Sequence, residues 1–582
     1  MAAGRLEQAR SVLSRALARD PAAAPEMDLL AATLMRMGLM DQARFYAERA
    51  CALRPTDPAA HFNLGKLSLS IGQNEPGIAS LERAVALEPD ERSTFSALTN
   101  ALIVGQRFAE GERLARQGLE RWPDDAELLV DLASALQASG RAREAVPIFR
   151  RATGLYPDDA MAATLYAACV NYAGDVEPRD ALEAHLSYGR LVDRSFGPAR
   201  EPPRTDPDPD RRLRLGVLSG DLRAHAVGFF IEPLLAHHDR TTLEIACFST
   251  ATMEDATSAR LRGMSRAWHA VAPLTFEQLA DKVRRERIDI LVELSGHTGG
   301  HRLPVFQLRP APIGATYFGY PNTTGVRAVD YRIVDSITDP VEPWYDALAA
   351  ERLWRLDPCF LCYQGHPQAP EPAPPPSAGG VPFTFGTFNN LSKHDDLALD
   401  LYRRVLEAVP GSRLMLKYGG LGSPGVRQIV IERFGDAGIE PARLVLEGPG
   451  RTALETLPAY ARMDVMLDSF PYHGTTTTCE ALYMGVPVVS LQGRVCAARV
   501  GGSILTNVGL PELIASTPEH YVQIAAGLAA DPSRLAAIRS GLRTRMLASP
   551  VCDGPGFARR FESALRGMWR EWCRGPAGPA PA

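Results

Sequence analysis

The stretch PTDPAAHFNLGKLSLSIGQNEPGIASLERAVALE, residues 55–88, decides the fold of the first third of the chain. Its first residue belongs to a series of prolines spaced 34 residues apart: Pro21, Pro55, Pro89, Pro123 and Pro157. Glycines and alanines keep the same step at other positions of the unit. Small residues let two helices approach closely, glycine ends the first helix of a unit, and proline marks the junction to the next. The pattern predicts stacked helix–turn–helix pairs.

A 34-residue period of this kind resembles tetratricopeptide repeats. The register gives one lone helix at 5–20, four full repeats from Pro21, a degenerate fifth from Pro157 and a capping helix at 177–193. We therefore predict an α-solenoid over residues 1–196. Such arrays form a concave surface that holds extended peptide, so we expect a protein or peptide partner in this groove.

The composition indicates a globular protein with no general affinity for nucleic acids or membranes. The 582 residues carry a formal net charge of −5, and no apolar run reaches the roughly 18 residues that a membrane-spanning helix needs. Nine cysteines, odd in number and scattered, indicate reduced thiols in the cytoplasm. Zinc at Cys359 and Cys362 would need a second pair of ligands nearby, so we expect these two thiols to be buried at a strand end.

Beyond residue 212 the chain alternates short apolar runs with helical stretches, in two successive groups. We predict two facing Rossmann-like domains, at 213–364 and 381–575, each built on a parallel sheet. Their expected strands lie at 213–220, 244–250, 288–294, 313–320 and 330–335, and at 383–389, 412–418, 443–448, 464–470 and 487–493. Two such domains leave a cleft at the carboxyl ends of their strands.

Segments rich in proline separate these domains. Residues 197–212 and 365–380 are expected to be linkers, and residues 576–582 a tail. The first linker contains DPDPD, which could be mistaken for a metal-binding motif of sugar-nucleotide enzymes. Its prolines favour an exposed, extended tether instead.

The strongest local signal is DSFPYHGTTTTCEALYMGVPVVSL, residues 468–491, in which a strand is followed by a tight turn and a threonine-rich helix start. N–H groups and hydroxyls at a helix start bind anions and suit a diphosphate. Simple capping would need one threonine rather than a run. A carboxylate in the first turn can accept both hydroxyls of a ribose. The residues predicted to bind the nucleotide are Asn390, Lys393, Thr475, Thr476, Thr477 and Glu480.

Lys393 belongs to FGTFNNLSKHDD, residues 386–397, directly after the first strand of the second domain. This position brings the lysine to the same rim of the sheet as the threonines. An ammonium there can stabilise the charge that develops on a departing diphosphate, so Lys393 is also a catalytic candidate.

Loops after the strands of the first domain supply candidates for the acceptor side of the cleft. Asp221 and His225 follow the first strand, and an imidazole there could orient or deprotonate an acceptor hydroxyl. The residues expected to line the cleft are His297, Thr298, Gly319 and Pro321. His297 and His301 could suggest a metal pair, but the two glycines between them disfavour the helix that such a pair requires. We expect no metal.

The segments SGDLRAH, DILVELSGHT, RPAPIGATYFGYPNTTG, FNNLSK and FPYHGTTTTCEALYMGVP together resemble the protein O-GlcNAc transferase family. PCFLCY, GYPNTTG and SPVCDGPGF are most similar to its SPINDLY branch. The resemblance implies a GT-B fold, inversion at the anomeric carbon and independence of metal. It also implies that Lys393 steadies the diphosphate, that Glu480 is the ribose ligand, and that His225 and Asp221 serve the acceptor.

Two positions depart from the family pattern. Thr456 stands where a histidine that stacks on the base is expected, and Thr475 replaces another histidine, although a threonine run is usual for the SPINDLY branch. The first departure leaves the nucleotide base open.

The sequence therefore predicts a cytoplasmic, inverting protein O-glycosyltransferase that moves GlcNAc from UDP-GlcNAc to Ser or Thr of a protein. Three alternatives stay open: an O-fucosyltransferase that uses GDP-fucose, a transferase for flagellin or another surface protein, and a tetratricopeptide scaffold with an inactive transferase half.

Overall fold

The computed structural model describes residues 2–450 and 452–575, and the predicted tail at 576–582 lies outside them. The first part of the chain is a series of helix pairs, as the period predicts. These helices are α1 (Ala2–Arg19), α2 (Ala24–Arg36), α3 (Met40–Leu53), α4 (Pro58–Ser70), α5 (Asn74–Leu87), α6 (Arg92–Val104), α7 (Phe108–Arg121), α8 (Ala126–Ala138), α9 (Ala142–Leu155), α10 (Ala160–Cys169) and α11 (Pro178–Phe196).

A left-handed residue closes the first helix of successive repeats. Gly38, Gly72 and Gly140 have φ of +77°, +77° and +80°, and Gln106 adopts the same region at +61°. Glycine takes this backbone without steric cost, which explains why glycine recurs at this position of the period. The left-handed backbone of each turn therefore explains both the turn geometry and the recurrence of glycine every 34 residues.

The chain divides into two compact units. The first holds residues up to Ser139 together with 147–156 and 423–429, and the second holds 140–146, 157–422 and the chain from 430 onward. Within the first unit, the small residues Ala43 and Ala50 are fully buried in a core that also contains Leu30 and Leu34. The alanine positions of the period are therefore the places where the helices approach.

The last helix pair of the solenoid, α10 and α11, belongs to the second unit. Ala163, Tyr188 and Val192 join the same buried core as residues of the first sheet. A Cβ on Gly189 of α11 would lie only 1.9 Å from the carbonyl oxygen of Gly325, so a glycine is required at this contact. The degenerate fifth repeat and the predicted capping helix are thus built into the α/β part of the chain.

The first sheet is parallel throughout, with strand order β3-β2-β1-β4-β5-β6-β7. Its strands are β1 (Leu213–Ser219), β2 (Leu243–Ser249), β3 (Ala267–Ala270), β4 (Ile290–Glu293), β5 (Ile313–Thr316), β6 (Tyr331–Val334) and β7 (Arg352–Arg355). The helices between them are α12 (Ala226–His237), α13 (Ala256–Met264), α14 (Phe276–Arg285) and α15 (Pro343–Asp346). The sequence analysis missed β3 and β7, the two edge strands, because their residues are partly exposed and form no apolar run.

The second sheet is also parallel, with strand order β10-β9-β8-β11-β12-β13. Its strands are β8 (Thr384–Thr387), β9 (Arg413–Lys417), β10 (Leu444–Glu447), β11 (Val465–Leu467), β12 (Val488–Leu491) and β13 (Ile514–Ala515). Its helices are α16 (Asp396–Ala408), α17 (Pro424–Asp436), α18 (Ala453–Thr456), α19 (Thr476–Tyr483), α20 (Val500–Val508), α21 (Pro518–Ala530), α22 (Pro532–Leu547) and α23 (Gly554–Cys573). A solenoid followed by two Rossmann-like halves is the predicted fold class, and the two-residue strand β13 was missed.

Buried contacts join the two α/β halves. The carboxylate of Asp335, just after β6, accepts hydrogen bonds from Ser503 Oγ of α20 at 2.5 Å and from the Phe360 N–H at 3.0 Å. Cys359 and Cys362 are both buried after β7, as the sequence analysis expects.

The last helix, α23, packs on the first sheet although the chain reaches it through the second. Glu571 accepts a hydrogen bond from Tyr331 Oη at 2.9 Å and forms an ion pair with Arg352 at 2.7 Å. The helix also holds the first linker, because Trp569 Nε1 donates to the Asp208 carbonyl at 2.9 Å and Arg570 pairs with Asp210 at 2.7 Å. The DPDPD segment is exposed, as expected, but its backbone is fixed rather than free.

Candidate active site

The loops that follow β8 and β11 bring Lys393 to the threonine-rich turn. Lys393 ends a short 3₁₀ turn, Leu391–Lys393, and its Nζ donates a hydrogen bond to the His473 carbonyl at 2.9 Å. The same Nζ lies over the ring of Tyr472, 4.1 Å from its centroid. Burial lowers the pKa of Lys393 to about 8, so the group is still a cation at neutral pH. The two predicted halves of the donor site therefore meet.

The turn before α19 has the features of an anion site. Thr475, Thr476 and Thr477 are half-buried, whereas Thr478 is buried and its hydroxyl donates to the Gly474 carbonyl at 3.1 Å. Among the described residues, the Thr475 side chain makes no capping hydrogen bond to α19. The first N–H groups of a helix lack intrahelical acceptors and carry a positive partial charge. The helix start is thus suited to phosphate oxygens rather than closed by its own cap.

A neighbouring asparagine, which the sequence analysis did not single out, contacts this turn. The predicted residue Asn390 is exposed, whereas Asn389 is buried and its Oδ1 accepts a hydrogen bond from Thr477 Oγ1 at 3.0 Å. Within the part of the chain that the structure describes, Asn389 Nδ2 has no hydrogen-bond partner. The signal in the sequence is the pair of asparagines after β8. Local pattern alone does not show which of the two side chains points inward.

Glu480 lies one turn into α19 and contacts Tyr460, a second residue that the sequence analysis did not predict for this site. Its carboxylate accepts a hydrogen bond from Tyr460 Oη at 2.9 Å. Burial raises the pKa of Glu480 to about 7, and the Tyr460 hydrogen bond opposes that rise. A carboxylate at this place can accept two hydroxyl groups of a ribose when it is ionised. Thr456, the departure from the family pattern, ends α18, and its hydroxyl donates to the Thr452 carbonyl at 3.3 Å.

Asp221 and His225 lie together after β1. His225 Nδ1 accepts a hydrogen bond from the Val227 N–H at 3.2 Å and lies 3.8 Å from Asp221 Oδ2. Partial burial lowers the pKa of His225, and the Asp221 carboxylate opposes that shift. A neutral imidazole that accepts at Nδ1 carries its proton on Nε2. This tautomer offers a donor to an acceptor hydroxyl, so the geometry favours orientation of that hydroxyl.

The residues predicted to line the acceptor side differ in their placement. His297 is only 3% exposed, its Nε2 donates to the Thr324 carbonyl at 2.8 Å, and its ring packs edge-on against Tyr188. Thr298 Oγ1 donates to the Ser295 carbonyl at 2.8 Å, and a Cβ on Gly319 would lie 1.7 Å from the Leu294 carbonyl oxygen.

His297 is therefore packed in the interior, and among the described residues its Nδ1 has no hydrogen-bond partner. Gly319 is half-buried, and the close approach of the Leu294 carbonyl requires a glycine there. Thr298 and Pro321 are half-buried. No group of three or more His, Cys, Asp or Glu that could hold a metal occurs in residues 2–450 and 452–575. Over those residues there is also no helix with the length and apolar character that crossing a membrane requires.

Comparison with known proteins places these residues in a family context. The profile described as glycosyl transferase family 41 matches residues 198–362 and 381–560. Profiles of tetratricopeptide repeats match residues 58–91 and 105–169.

Curated relatives carry related names. The chain is 40% identical over 410 residues to the probable UDP-N-acetylglucosamine–peptide N-acetylglucosaminyltransferase SPINDLY of Arabidopsis thaliana, covering 70% of this chain and 44% of that protein. The protein of that name from Oryza sativa is 42% identical over 372 residues, or 63% of this chain and 40% of that protein. The chain thus spans less than half the length of these relatives.

A solved structure resembles nearly the whole chain. A mutant of the Thermobaculum terrenum O-GlcNAc transferase matches with a TM-score of 0.79 and 35% identity, over 96% of this chain and 99% of that one.

Proposed function

The chain belongs to glycosyl transferase family 41, and we propose from this membership and from its site that it is a protein O-glycosyltransferase. It transfers a sugar from a nucleoside diphosphate to a Ser or Thr hydroxyl of a protein. The single observation that carries this proposal is the Lys393 ammonium held beside the open start of α19. A cation and a helix start together complement the negative charge of a pyrophosphate.

The proposed reaction uses these groups in sequence. Thr475, Thr476 and Thr477 hold phosphate oxygens, and Glu480 accepts the ribose hydroxyls. His225 orients the acceptor hydroxyl for attack on the anomeric carbon from the face opposite the diphosphate, and the Asp221 carboxylate takes the proton that this hydroxyl loses as the new C–O bond forms. As the bond to the diphosphate breaks, Lys393 stabilises the charge that develops on its oxygens. These roles need no metal.

The acceptor is proposed to be a protein segment in the solenoid groove. The relatives' names indicate UDP-GlcNAc as the donor, and we propose it for this chain. GDP-fucose is the second candidate, because no aromatic or imidazole ring occupies position 456. The cysteines of the described chain form no disulfide, which agrees with acceptors in the cytoplasm.

Sugar transfer by the full chain tests the proposal. The purified protein is incubated with UDP-GlcNAc or GDP-fucose and a host protein extract, and transfer is followed by mass spectrometry. Lys393→Ala is expected to reduce transfer by on the order of 100- to 1000-fold, because one electrostatic contact to the leaving group is lost. The matched control is Lys282→Ala, since Lys282 of α14 pairs with Glu286, the residue that follows this helix, at 3.1 Å, and the variant is expected to keep wild-type activity. A Lys393→Ala protein with wild-type transfer would refute the assignment.

A further inference from the structure

The irregular segment between α10 and α11 contacts both loops of the proposed donor site. It starts with a 3₁₀ turn, Val170–Tyr172, and the Tyr172 ring stacks on the Tyr472 ring with a centroid distance of 4.8 Å and an interplanar angle of 20°. The Gly174 N–H donates to Asp395 Oδ2 at 3.0 Å, two residues beyond Lys393. The end of the solenoid therefore reaches the loop that carries the lysine and the loop that leads to the threonines.

Tyr472 is enclosed between an aromatic ring and a cation. A ring stacked as closely as Tyr172 fills one face of Tyr472, so the Lys393 ammonium takes the other face, 4.1 Å from the centroid. The three groups form a column, defined here as Tyr172, Tyr472 and Lys393.

This arrangement holds the cation without cancelling its charge. Among the residues that the structure describes, no carboxylate lies within ion-pair distance of the Lys393 ammonium, and the Asp468 carboxylate acts on it only from farther away, where it opposes the fall in the pKa of Lys393. A carboxylate partner would neutralise the ammonium and compete with phosphate, whereas the face of an aromatic ring attracts a cation and leaves its net charge in place. An ammonium has three N–H donors, and the bond to the His473 carbonyl uses one of them.

We propose that Tyr172 is a positioning residue, which through Tyr472 holds the Lys393 ammonium at the height where it meets the diphosphate of the donor. The inference rests on the proposed function. It gives the segment between α10 and α11 a role in sugar transfer that is separate from binding the acceptor. Only the ring of Tyr172 is required, because the contact is made by its face.

Steady-state kinetics test the positioning role. Tyr172→Leu is expected to lower kcat about tenfold, whereas Tyr172→Phe, which keeps the ring, is expected to remain within about twofold of wild type. The matched control is Tyr156→Leu, which removes a tyrosine whose hydroxyl donates to the Asp124 carbonyl. Equal losses in Tyr172→Leu and Tyr172→Phe, or a wild-type kcat in Tyr172→Leu, would overturn the proposal.

A double-mutant cycle separates this role from a general loss of structure. If Tyr172 acts through Lys393, Tyr172→Leu weakens UDP and GDP binding in the wild-type background and adds no further loss in the Lys393→Ala background. Binding is measured by calorimetry with each nucleotide. Losses that multiply in the double variant would show that Tyr172 acts independently of Lys393 and would contradict the inference.

A spectroscopic readout tests the column without reference to activity. The chain has four lysines, Lys66, Lys282, Lys393 and Lys417, so ¹³C-methylation of the lysines gives a spectrum in which Lys393→Ala identifies one signal. We expect that signal to be shifted upfield by the Tyr472 ring current, and the shift to persist in Tyr172→Phe and to fall in Tyr172→Leu. If the chemical shift of the Lys393 signal is the same in Tyr172→Leu as in wild type, the positioning role of Tyr172 is refuted and the proposed function is not affected. If the signal shifts as expected but the protein transfers no sugar, the column is supported and the proposed function is refuted.

Discussion

At the scale of single residues, the proposed donor ligands Glu480 and Lys393 predict a pH range for nucleotide binding. Burial raises the pKa of Glu480 to about 7 and lowers that of Lys393 to about 8. The ribose needs the ionised carboxylate, which forms above the first value, and the diphosphate needs the ammonium, which persists below the second. Affinity for UDP or GDP is expected to peak between the two values. Calorimetry across this range checks it, and a flat profile would contradict the assigned ligands.

Tyr460 is expected to set the pH at which nucleotide affinity falls on the acid side of that profile. Its hydroxyl donates to Glu480 and thereby favours the ionised form, so Tyr460→Phe is expected to raise the pKa of Glu480. A shift of about one unit corresponds to about 1.4 kcal/mol, close to the lower end of the range for a hydrogen bond to a charged group. The acid limb of nucleotide affinity should move to higher pH while the alkaline limb stays in place. Movement of both limbs would point to a general disturbance of the site.

The same carboxyl links pH to stability. Its pKa is raised from 4.5 to about 7 on folding, so the folded state retains a proton that the unfolded state has lost between these values. Stability therefore falls as pH rises from the lower value to the higher and then levels off. Glu480→Gln, which cannot ionise, is expected to unfold at a higher temperature than wild type at alkaline pH and to lose that advantage below the lower value. Thermal unfolding at both extremes provides the test.

At the scale of elements, the turn before α19 depends on a glycine. A Cβ on Gly474 would lie 2.3 Å from Thr477 Oγ1 and 2.9 Å from Thr478 Oγ1. Gly474→Ala must displace these hydroxyls, at a cost typical of overpacking of about 1–3 kcal/mol, so nucleotide affinity should fall by about five- to 150-fold. The control is Gly435→Ala in α17, where an added Cβ meets nothing within 4 Å. Equal affinities in both variants would show that the turn does not bind the nucleotide.

The elements also show what sequence can predict. Helices of the solenoid follow from a strong period, and the turn glycines follow from the left-handed backbone that each repeat needs. The edge strand β3 could not be predicted, because its half-exposed residues become a strand only by pairing with β2. That Lys393 lies beside the threonine turn could be predicted, because both segments follow strand ends and strand ends are local signals.

Residues fixed by distant contacts escaped the sequence analysis. Tyr460 reaches Glu480 from the segment before β11, and Tyr172 reaches Tyr472 across 300 positions of the chain. Conversely, His297 was correctly placed after β4, but the packing of α11 turns it into the interior. Local pattern gives the position of a residue along the chain, whereas the direction of its side chain depends on which element covers it.

At the scale of the whole molecule, α23 ties the C-terminal part of the chain to the first sheet and its linker. Trp569 is fully buried, bonds the Asp208 carbonyl and lies beneath the Arg211 guanidinium at 4.4 Å. Trp569→Ala is expected to cost about 3–5 kcal/mol, as for other buried large side chains, and to lower the thermal unfolding midpoint. The half-buried Trp572 stacks on it, and Trp572→Ala should cost less. Equal midpoints for wild type and Trp569→Ala would show that this attachment contributes nothing.

The division of the chain near Pro157 has a consequence for changing the acceptor of the proposed transferase. Because α10 and α11 share a buried core with residues of the first sheet, the repeats ahead of them are the part of the solenoid that can be exchanged without cutting this core. If the chain is the transferase proposed above, chimeras joined upstream of Pro157 are expected to act on different acceptor proteins and to keep the same transferase site, whereas a junction after Pro157 would cut through the shared core. Relatives that act on different acceptor proteins are then expected to differ most in the sequences of their early repeats and least in the helix pair that corresponds to α10 and α11.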